Sequence, residues 1–196
     1  MKIIGLTGGV GAGKTQILEY LSDKYGATVC QADKVARQLQ KKGTDVYRRI
    51  VEHFGEGILN EKGDLDREKL AGVVFSSSEE LQVLNGIVHP AVKEEVMRKI
   101  ASEKKRSTNL FVLEAALLIE DHYDEICDEL WYVYVKKDIR KNRLVYSRGY
   151  QSEKIDEIMA SQLSKEEFLK SCDRVIDNND VFAETMLQLD NIVREL

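Results

Sequence analysis

From Gly8 to Thr15 the chain reads Gly-Gly-Val-Gly-Ala-Gly-Lys-Thr, a spacing that fits the G-x-x-x-x-G-K-[ST] pattern of a loop that cradles phosphate. Glycines at Gly8, Gly11 and Gly13 open backbone conformations closed to residues with a side chain, so successive N–H groups turn toward one anion. Gly9, Val10 and Ala12 complete the loop. Lys14 would bring an ammonium to the β- and γ-phosphates of a nucleotide, and Thr15 a hydroxyl to Mg²⁺. Two elements must hold this loop in place. The apolar run before it predicts a strand, while Ile17, Leu18, Leu21 and Tyr25 recur behind it at helical spacing. That helix would point the positive end of its dipole at the same anion, with Gln16 in its first turn.

Other residues could add chemistry. Asp33 follows a short buried segment, Ala27 to Gln31, and so sits just past the carboxyl end of a second strand, the edge where ligands bind in open α/β sheets. Its residue type is equally that of a helix cap. Glu114 ends the apolar run from Leu110 and reads either as a group outside the first shell of Mg²⁺ or as one half of a structural ion pair. Glu120 lies on the loop that follows. After a fourth strand at Leu130 to Val135 comes a charged helix bearing Arg140 and Arg143, with Arg148 at or beyond its end. Guanidinium forks grip phosphate oxygens in pairs, so these arginines suit a flap over polyphosphate, or else form a solvated helix face. His89 precedes Pro90, the single proline, and is expected at a corner between two helices.

The elements that must position these groups belong to one α/β domain. A chain of 196 residues, 43% hydrophobic and 32% charged, suits one substantial core and no second full-sized one. Between Gly43 and Ile100 the periodicity is helical throughout, with a capping box at Ser77 and Glu80; a second box is expected at Ser164 and Glu167. Arg174 to Asp177 reads as a fifth strand, and Phe182, Met186, Leu189 and Val193 as a closing helix. A net charge of −5 argues against a general nucleic-acid partner. No apolar run reaches a membrane span, and no secretory signal opens the chain, so a cytoplasmic location is expected. Cys30, Cys127 and Cys172 form no C-x-x-C pair and are expected to be free thiols.

Taken in order, these pieces closely resemble the dephospho-CoA kinases over essentially the whole length. The resemblance rests on Gly5-Leu6-Thr7 leading into the loop, Ala32-Asp33 with Ala36-Arg37, Glu52-His53-Phe54-Gly55, Leu65-Asp66-Arg67, Leu84-Asn85 with His89-Pro90, Leu117-Leu118-Ile119-Glu120, Gln162, and Val175-Ile176-Asp177-Asn178. It implies a three-layer P-loop fold with a five-stranded parallel sheet, a nucleotide-binding core at about 1–40, 107–138 and 172–196, a helical substrate region at about 41–106 and a lid at about 139–171. The implied reaction is ATP-dependent phosphorylation of the ribose 3′-hydroxyl of dephospho-CoA, giving coenzyme A and ADP as the last step of coenzyme A synthesis. Lys14, Asp33 and Arg143 are then the catalytic candidates. Gly8 through Gln16, Arg143, Arg148 and Asn178 are candidates for the nucleotide, and Asp33, Arg67, His89, Leu117 and Glu120 for the acceptor. Mg²⁺ would fall to Thr15, with Asp33 a second candidate. The chain departs from the family pattern at Gln31, Ala116 and Phe168, and at Ser147, where a lid arginine is usual and Arg148 stands next to it. A monomer or weak homo-oligomer is expected, acting on a small molecule. A GTPase switch is the competitor from another class, but neither Asn-Lys-x-Asp nor Asp-x-x-Gly occurs. Kinases for nucleoside monophosphates or shikimate share every argument drawn from the loop, and only the resemblance separates them.

Overall fold

Why the first strand is apolar on both faces becomes plain from its position in the sheet. A computed structural model describes residues 1–196, with strands β1 (Lys2–Thr7), β2 (Thr28–Gln31), β3 (Leu110–Glu114), β4 (Glu129–Tyr134) and β5 (Arg174–Asp177) in the order β2-β3-β1-β4-β5. The central strand β1 pairs in parallel with β3, from Lys2 opposite Leu110 to Leu6 opposite Glu114, and with β4, from Ile4 opposite Glu129 to Thr7 opposite Tyr132. β4 pairs in parallel with β5. Parallel strands covered on both faces read as continuous apolar runs, and Ile3 through Thr7 are all buried. The same polarity brings Gly8, Glu114 and Asn178, each at or just past a carboxyl end, to one edge of the sheet.

The helices are α1 (Lys14–Tyr25), α2 (Ala32–Leu39), α3 (Asp45–Phe54), α4 (Arg67–Val74), α5 (Ser78–Lys105), α6 (Lys137–Arg148), α7 (Ser152–Ala160), α8 (Lys165–Ser171) and α9 (Phe182–Arg194). The chain divides into two compact units, one of Met1–Cys30 with Glu103–Leu196 and one of Gln31–Ser102. In the first, Ile17, Leu18 and Leu21 of α1 and Leu189 of α9 bury against Ile4, Leu6, Trp131, Val133 and Ile176 of the sheet. Asp190 joins the two helices, accepting from Tyr20 Oη at 2.6 Å, Tyr25 Oη at 2.5 Å and Lys24 Nζ at 2.7 Å. The Lys24 bond, with those of the two tyrosines, holds its carboxyl below the usual range. At the start of α8 the expected capping box is complete, Ser164 Oγ accepting from Glu167 N at 3.2 Å and Glu167 Oε2 from Ser164 N at 2.7 Å.

The second unit is helical. Thr44 caps α3 by accepting from Tyr47 N at 3.1 Å, and Asp66 caps α4 by accepting from Glu68 N at 3.1 Å and Lys69 N at 3.2 Å. Between them Asn60 Oδ1 closes a turn by accepting from Lys62 N at 2.9 Å and Asp64 N at 3.0 Å. One expectation fails here. His89 and Pro90 do not mark a corner, because α5 runs unbroken through them for 28 residues. A proline inside a helix costs about 3 kcal/mol, through a lost N–H bond and a clash with the carbonyl four residues back. That carbonyl belongs to Gly86, which is exposed like Pro90, so water can take the freed acceptor. Ile87, Val88, Val92, Val96 and Ile100 are buried on both sides of the proline, and that packing outweighs the local penalty. At the start of α5, Ser77 Oγ accepts from Glu80 N at 3.3 Å, while the Glu80 carboxylate turns to His53 Nε2 at 2.8 Å.

Candidate active site

The phosphate loop leaves β1 at Gly8, with φ of 144° at Gly8, 79° at Gly11 and 86° at Gly13, all in the region that favours glycine. Gly8 is required twice over, since a Cβ there would stand 2.7 Å from the Val133 carbonyl oxygen. Gly13 is the N-cap of α1 and offers no side chain to its first turn, so the amides at that end face outward as an anion site. Lys14 reaches back across the loop. Its Nζ donates to the Gly8 carbonyl at 2.6 Å and stands 3.6 Å from Glu114 Oε1. Glu114 pairs in register with Leu6, two residues before Gly8, which explains how a strand-end carboxylate meets a loop lysine. Glu114 thus forms an ion pair with Lys14 at the loop.

Two further groups shape the loop from the other side. Asn178 is buried; its Nδ2 donates to the Ala12 carbonyl at 2.8 Å and its Oδ1 accepts from Thr185 Oγ1 at 2.8 Å. The Asn178 carbonyl accepts from Arg143 Nη2 at 2.8 Å. A cleft of about 590 Å³ opens beside these residues, lined by Gly11, Gly13, Thr15 and Gln16 on one side and Arg143, Tyr146 and Arg148 on the other. Arg148 is the last residue of α6, with its guanidinium 5.8 Å from the centre of the Tyr150 ring. Lys141 Nζ meets Asp156 Oδ1 at 2.6 Å and so ties α6 to α7. Phe168 is buried and stacks on Tyr132, ring centres 4.6 Å apart at 10°. Leu117 and Glu120 lie in the turn after β3, and both are exposed.

In the second unit Asp33 is exposed in the first turn of α2. It is not the cap: Gln31 holds that position, and the helix start has no side-chain capping bond. The helix-cap alternative for Asp33 thus lacks its bond. Arg67 is exposed at the first position of α4, and His89 is half-buried within α5.

For Mg²⁺, the donor set at the loop suits a hard cation that keeps most of its water. Thr15 presents a hydroxyl on the exposed first turn of α1, and no group of three or more His, Cys, Asp and Glu side chains gathers into an all-protein cage. The thiols stand apart from this chemistry. None of the three forms a disulfide, and burial, helped by Asp128 and Asp173, pushes Cys127 and Cys172 up to about 12.

Comparison with known proteins decides the family. A family model described as CoaE, dephospho-CoA kinase, matches residues 2–184. The chain belongs to the dephospho-CoA kinase family. It is therefore an enzyme, a kinase built on a P-loop fold, and the parallel sheet agrees with that assignment. A dephospho-CoA kinase from Aquifex aeolicus is 39% identical to it over 196 residues, covering all of this chain and 98% of the relative. A crystal structure from Thermus thermophilus superposes with a TM-score of 0.84 at 26% identity, over all of this chain and 97% of that one. The fold is shared with a Campylobacter jejuni dephospho-CoA kinase, TM-score 0.74 at 23% identity, over all of this chain and 97% of that one. No helix of this kinase is long and apolar enough to cross a membrane.

Arg140 and Gln162 have a place in the site that their sequence pattern did not reveal, since Arg140 turns to the loop backbone rather than to the cleft. Thr185 went unnoticed as well. The capping box at Ser164 puts Gln162 in the connection before α8, but nothing in the spacing says what its amide touches.

Proposed function

We propose that this kinase transfers the γ-phosphoryl group of ATP to the ribose 3′-hydroxyl of dephospho-CoA, yielding coenzyme A and ADP in the last step of coenzyme A synthesis. The observation that carries the reading is the Gly8–Thr15 loop, with Lys14 parked on the Gly8 carbonyl beside Glu114, in a chain matched by the family over residues 2–184. An arriving β,γ-phosphate offers Lys14 a stronger acceptor than a neutral carbonyl, so Lys14 exchanges Gly8 for the phosphate while Glu114 keeps its ammonium near. The loop amides and the N-terminus of α1 meet the remaining phosphate oxygens. Mg²⁺ bound at the Thr15 hydroxyl would supply charge neutralisation along the β- and γ-phosphates. Arg143 and Arg148, facing the loop across the cleft, would cover the phosphates and keep water from the transferring group.

On the acceptor side Asp33 orients the 3′-hydroxyl in line with the β,γ-bridging oxygen. The new bond forms between the 3′-oxygen and the γ-phosphorus as the bond to the bridging oxygen breaks; the hydroxyl proton passes late to Asp33, and the leaving group departs as ADP. Arg67, His89, Leu117 and Glu120 would bind the rest of the acceptor, with residues at about 41–106 as the substrate region and 139–171 as the lid. The test is ATP consumption measured across dephospho-CoA, AMP, CMP and shikimate, with the product examined by phosphorus NMR. A new 3′-phosphomonoester on dephospho-CoA is expected; turnover of only the other three acceptors would overturn the reading.

A further inference from the structure

Val10 stands at the tip of the phosphate loop, and side chains from beyond β4 take both polar groups that flank its Cα. Its N–H donates to Gln162 Oε1 at 3.2 Å, and its carbonyl accepts from Arg140 Nε at 2.8 Å. Arg140 Nη2 donates to the same Gln162 oxygen at 2.7 Å, which closes a ring of three bonds through the loop backbone. The guanidinium also lies against Gly9, where any Cβ would collide with it. Gly9 is outside the positive-φ region that Gly8, Gly11 and Gly13 occupy, so what bars a side chain there is Arg140 and not the backbone. Arg140 is half-buried at this spot, and that burial lowers its pKa against the opposing influence of Tyr132.

We propose that Arg140 and Gln162 are positioning residues, which set the loop for phosphate by clamping the Val10 backbone without touching the nucleotide. The inference rests on the reading that this loop binds ATP. Two consequences follow. The Val10 N–H is withdrawn from the phosphate nest, and the Ala12 N–H donates to the Gly9 carbonyl at 3.1 Å, which leaves the nest to the Gly11 amide and those from Gly13 onward. And because Arg140 sits on α6 and Gln162 between α7 and α8, with Lys141 and Asp156 tying α6 to α7, a displacement of this helical segment carries the loop tip with it. A loop held in its binding shape before ligand arrives spares the nucleotide the cost of ordering it, so the clamp acts on ATP affinity more than on the chemical step. The fork of Arg140 is essential to this, because one guanidinium satisfies two acceptors that a lysine ammonium on a flexible stem does not hold in register.

The full chain and its Gln162→Leu, Arg140→Lys, Arg140→Ala and Gly9→Ala variants are compared in steady-state kinetics, in binding of a non-hydrolysable ATP analogue, and in amide exchange at Val10. Gln162→Leu and Arg140→Lys are expected to raise KM for ATP and Kd for the analogue by about tenfold, with kcat falling less than about threefold and Val10 exchanging faster. Gly9→Ala should do the same by expelling the guanidinium, and should add little in an Arg140→Ala background, where the collision is gone. Wild-type affinity in Arg140→Lys together with loss in Arg140→Ala would overturn the proposal, since charge on the phosphates would then be the role of Arg140. Unchanged Val10 exchange in both Gln162→Leu and Arg140→Lys would overturn it too. A wild-type chain that fails to bind the analogue would instead sink the ATP reading, and the exchange rates would still judge the clamp.

Discussion

Around the phosphate loop nearly every group is committed: Lys14 to Gly8 and Glu114, Asn178 to Ala12 and Thr185, Arg143 to the Asn178 carbonyl, Arg140 and Gln162 to Val10. Of the residues proposed to meet the acceptor, Asp33, Arg67 and Glu120 are each exposed, and Asp33 makes no capping bond to its own helix. The difference suits what each set is proposed to recognise. Triphosphate is a small, highly charged group whose binding gains from donors fixed in advance, because a preorganised field costs no reorganisation during reaction. A large, flexible acceptor brings its own binding energy, and residues that meet it can be left in water until it arrives. Donor-side residues should therefore affect stability and rate together, and acceptor-side residues rate alone.

The severest test of the donor side is Lys14→Ala, expected to lower kcat by a factor on the order of 10²–10⁴ in a chain with an unchanged circular-dichroism spectrum. Comparable turnover would mean that the loop does not stabilise a transferring phosphoryl group. Next comes Asp33→Asn, which keeps size and hydrogen-bonding capacity but removes the charge. It should lower kcat at least ~10²-fold, the scale of a lost general base, with Tm scarcely moved. A silent Asp33→Asn variant would erase the contrast between the sides and move the search for the base to Glu114 and Glu120.

Asn178→Ala probes the scaffold itself. It leaves the Ala12 carbonyl without its partner and the buried Thr185 hydroxyl with only the longer bond to the Asp177 carbonyl at 3.3 Å, a loss of about 1–3 kcal/mol that should appear as a drop of roughly 2–10 °C in Tm. A drop of similar size in Asp33→Asn would break the division drawn above. The smallest effect separates the two arginines of the cleft. Arg143→Ala, which also frees the Asn178 carbonyl, should lower kcat/KM roughly tenfold, and Arg148→Ala, at the end of α6 beside Tyr150, less than about threefold. Equal effects would show that both guanidinium groups reach the phosphates.

The loop, the strands and the parallel sheet were legible because each rests on local pattern: glycines at fixed offsets, apolar runs of strand length, helical spacing behind Thr15. The box at Ser164 and Glu167 was legible for the same reason. His89 and Pro90 were misread because the packing of Val88, Val92 and Val96 overrides a local breaker, and packing is not visible in a local window. The side-chain ties on the loop were hidden differently. Val10 and Gln162 are 152 residues apart, and Ala12 and Asn178 are 166 apart, so no spacing rule could join them. The place of Asp33 after β2 was legible in the sequence, whereas the absence of a capping bond from it needed the helix start at Ala32.

The order of the sheet also bears on how the chain is made. The central strand β1, buried from Ile3 to Thr7, hydrogen-bonds β3 and β4, and the nearer of these begins about a hundred residues further along. At synthesis rates of roughly 5–20 residues per second, the strand that carries the phosphate loop waits on the order of 5–20 s before its first sheet partner exists. Its unpaired N–H and C=O groups and its apolar side chains are open to other strands for all that time. Nascent chains halted before Leu110 are thus expected to bind holdase chaperones, and chains extended past Tyr134 to release them.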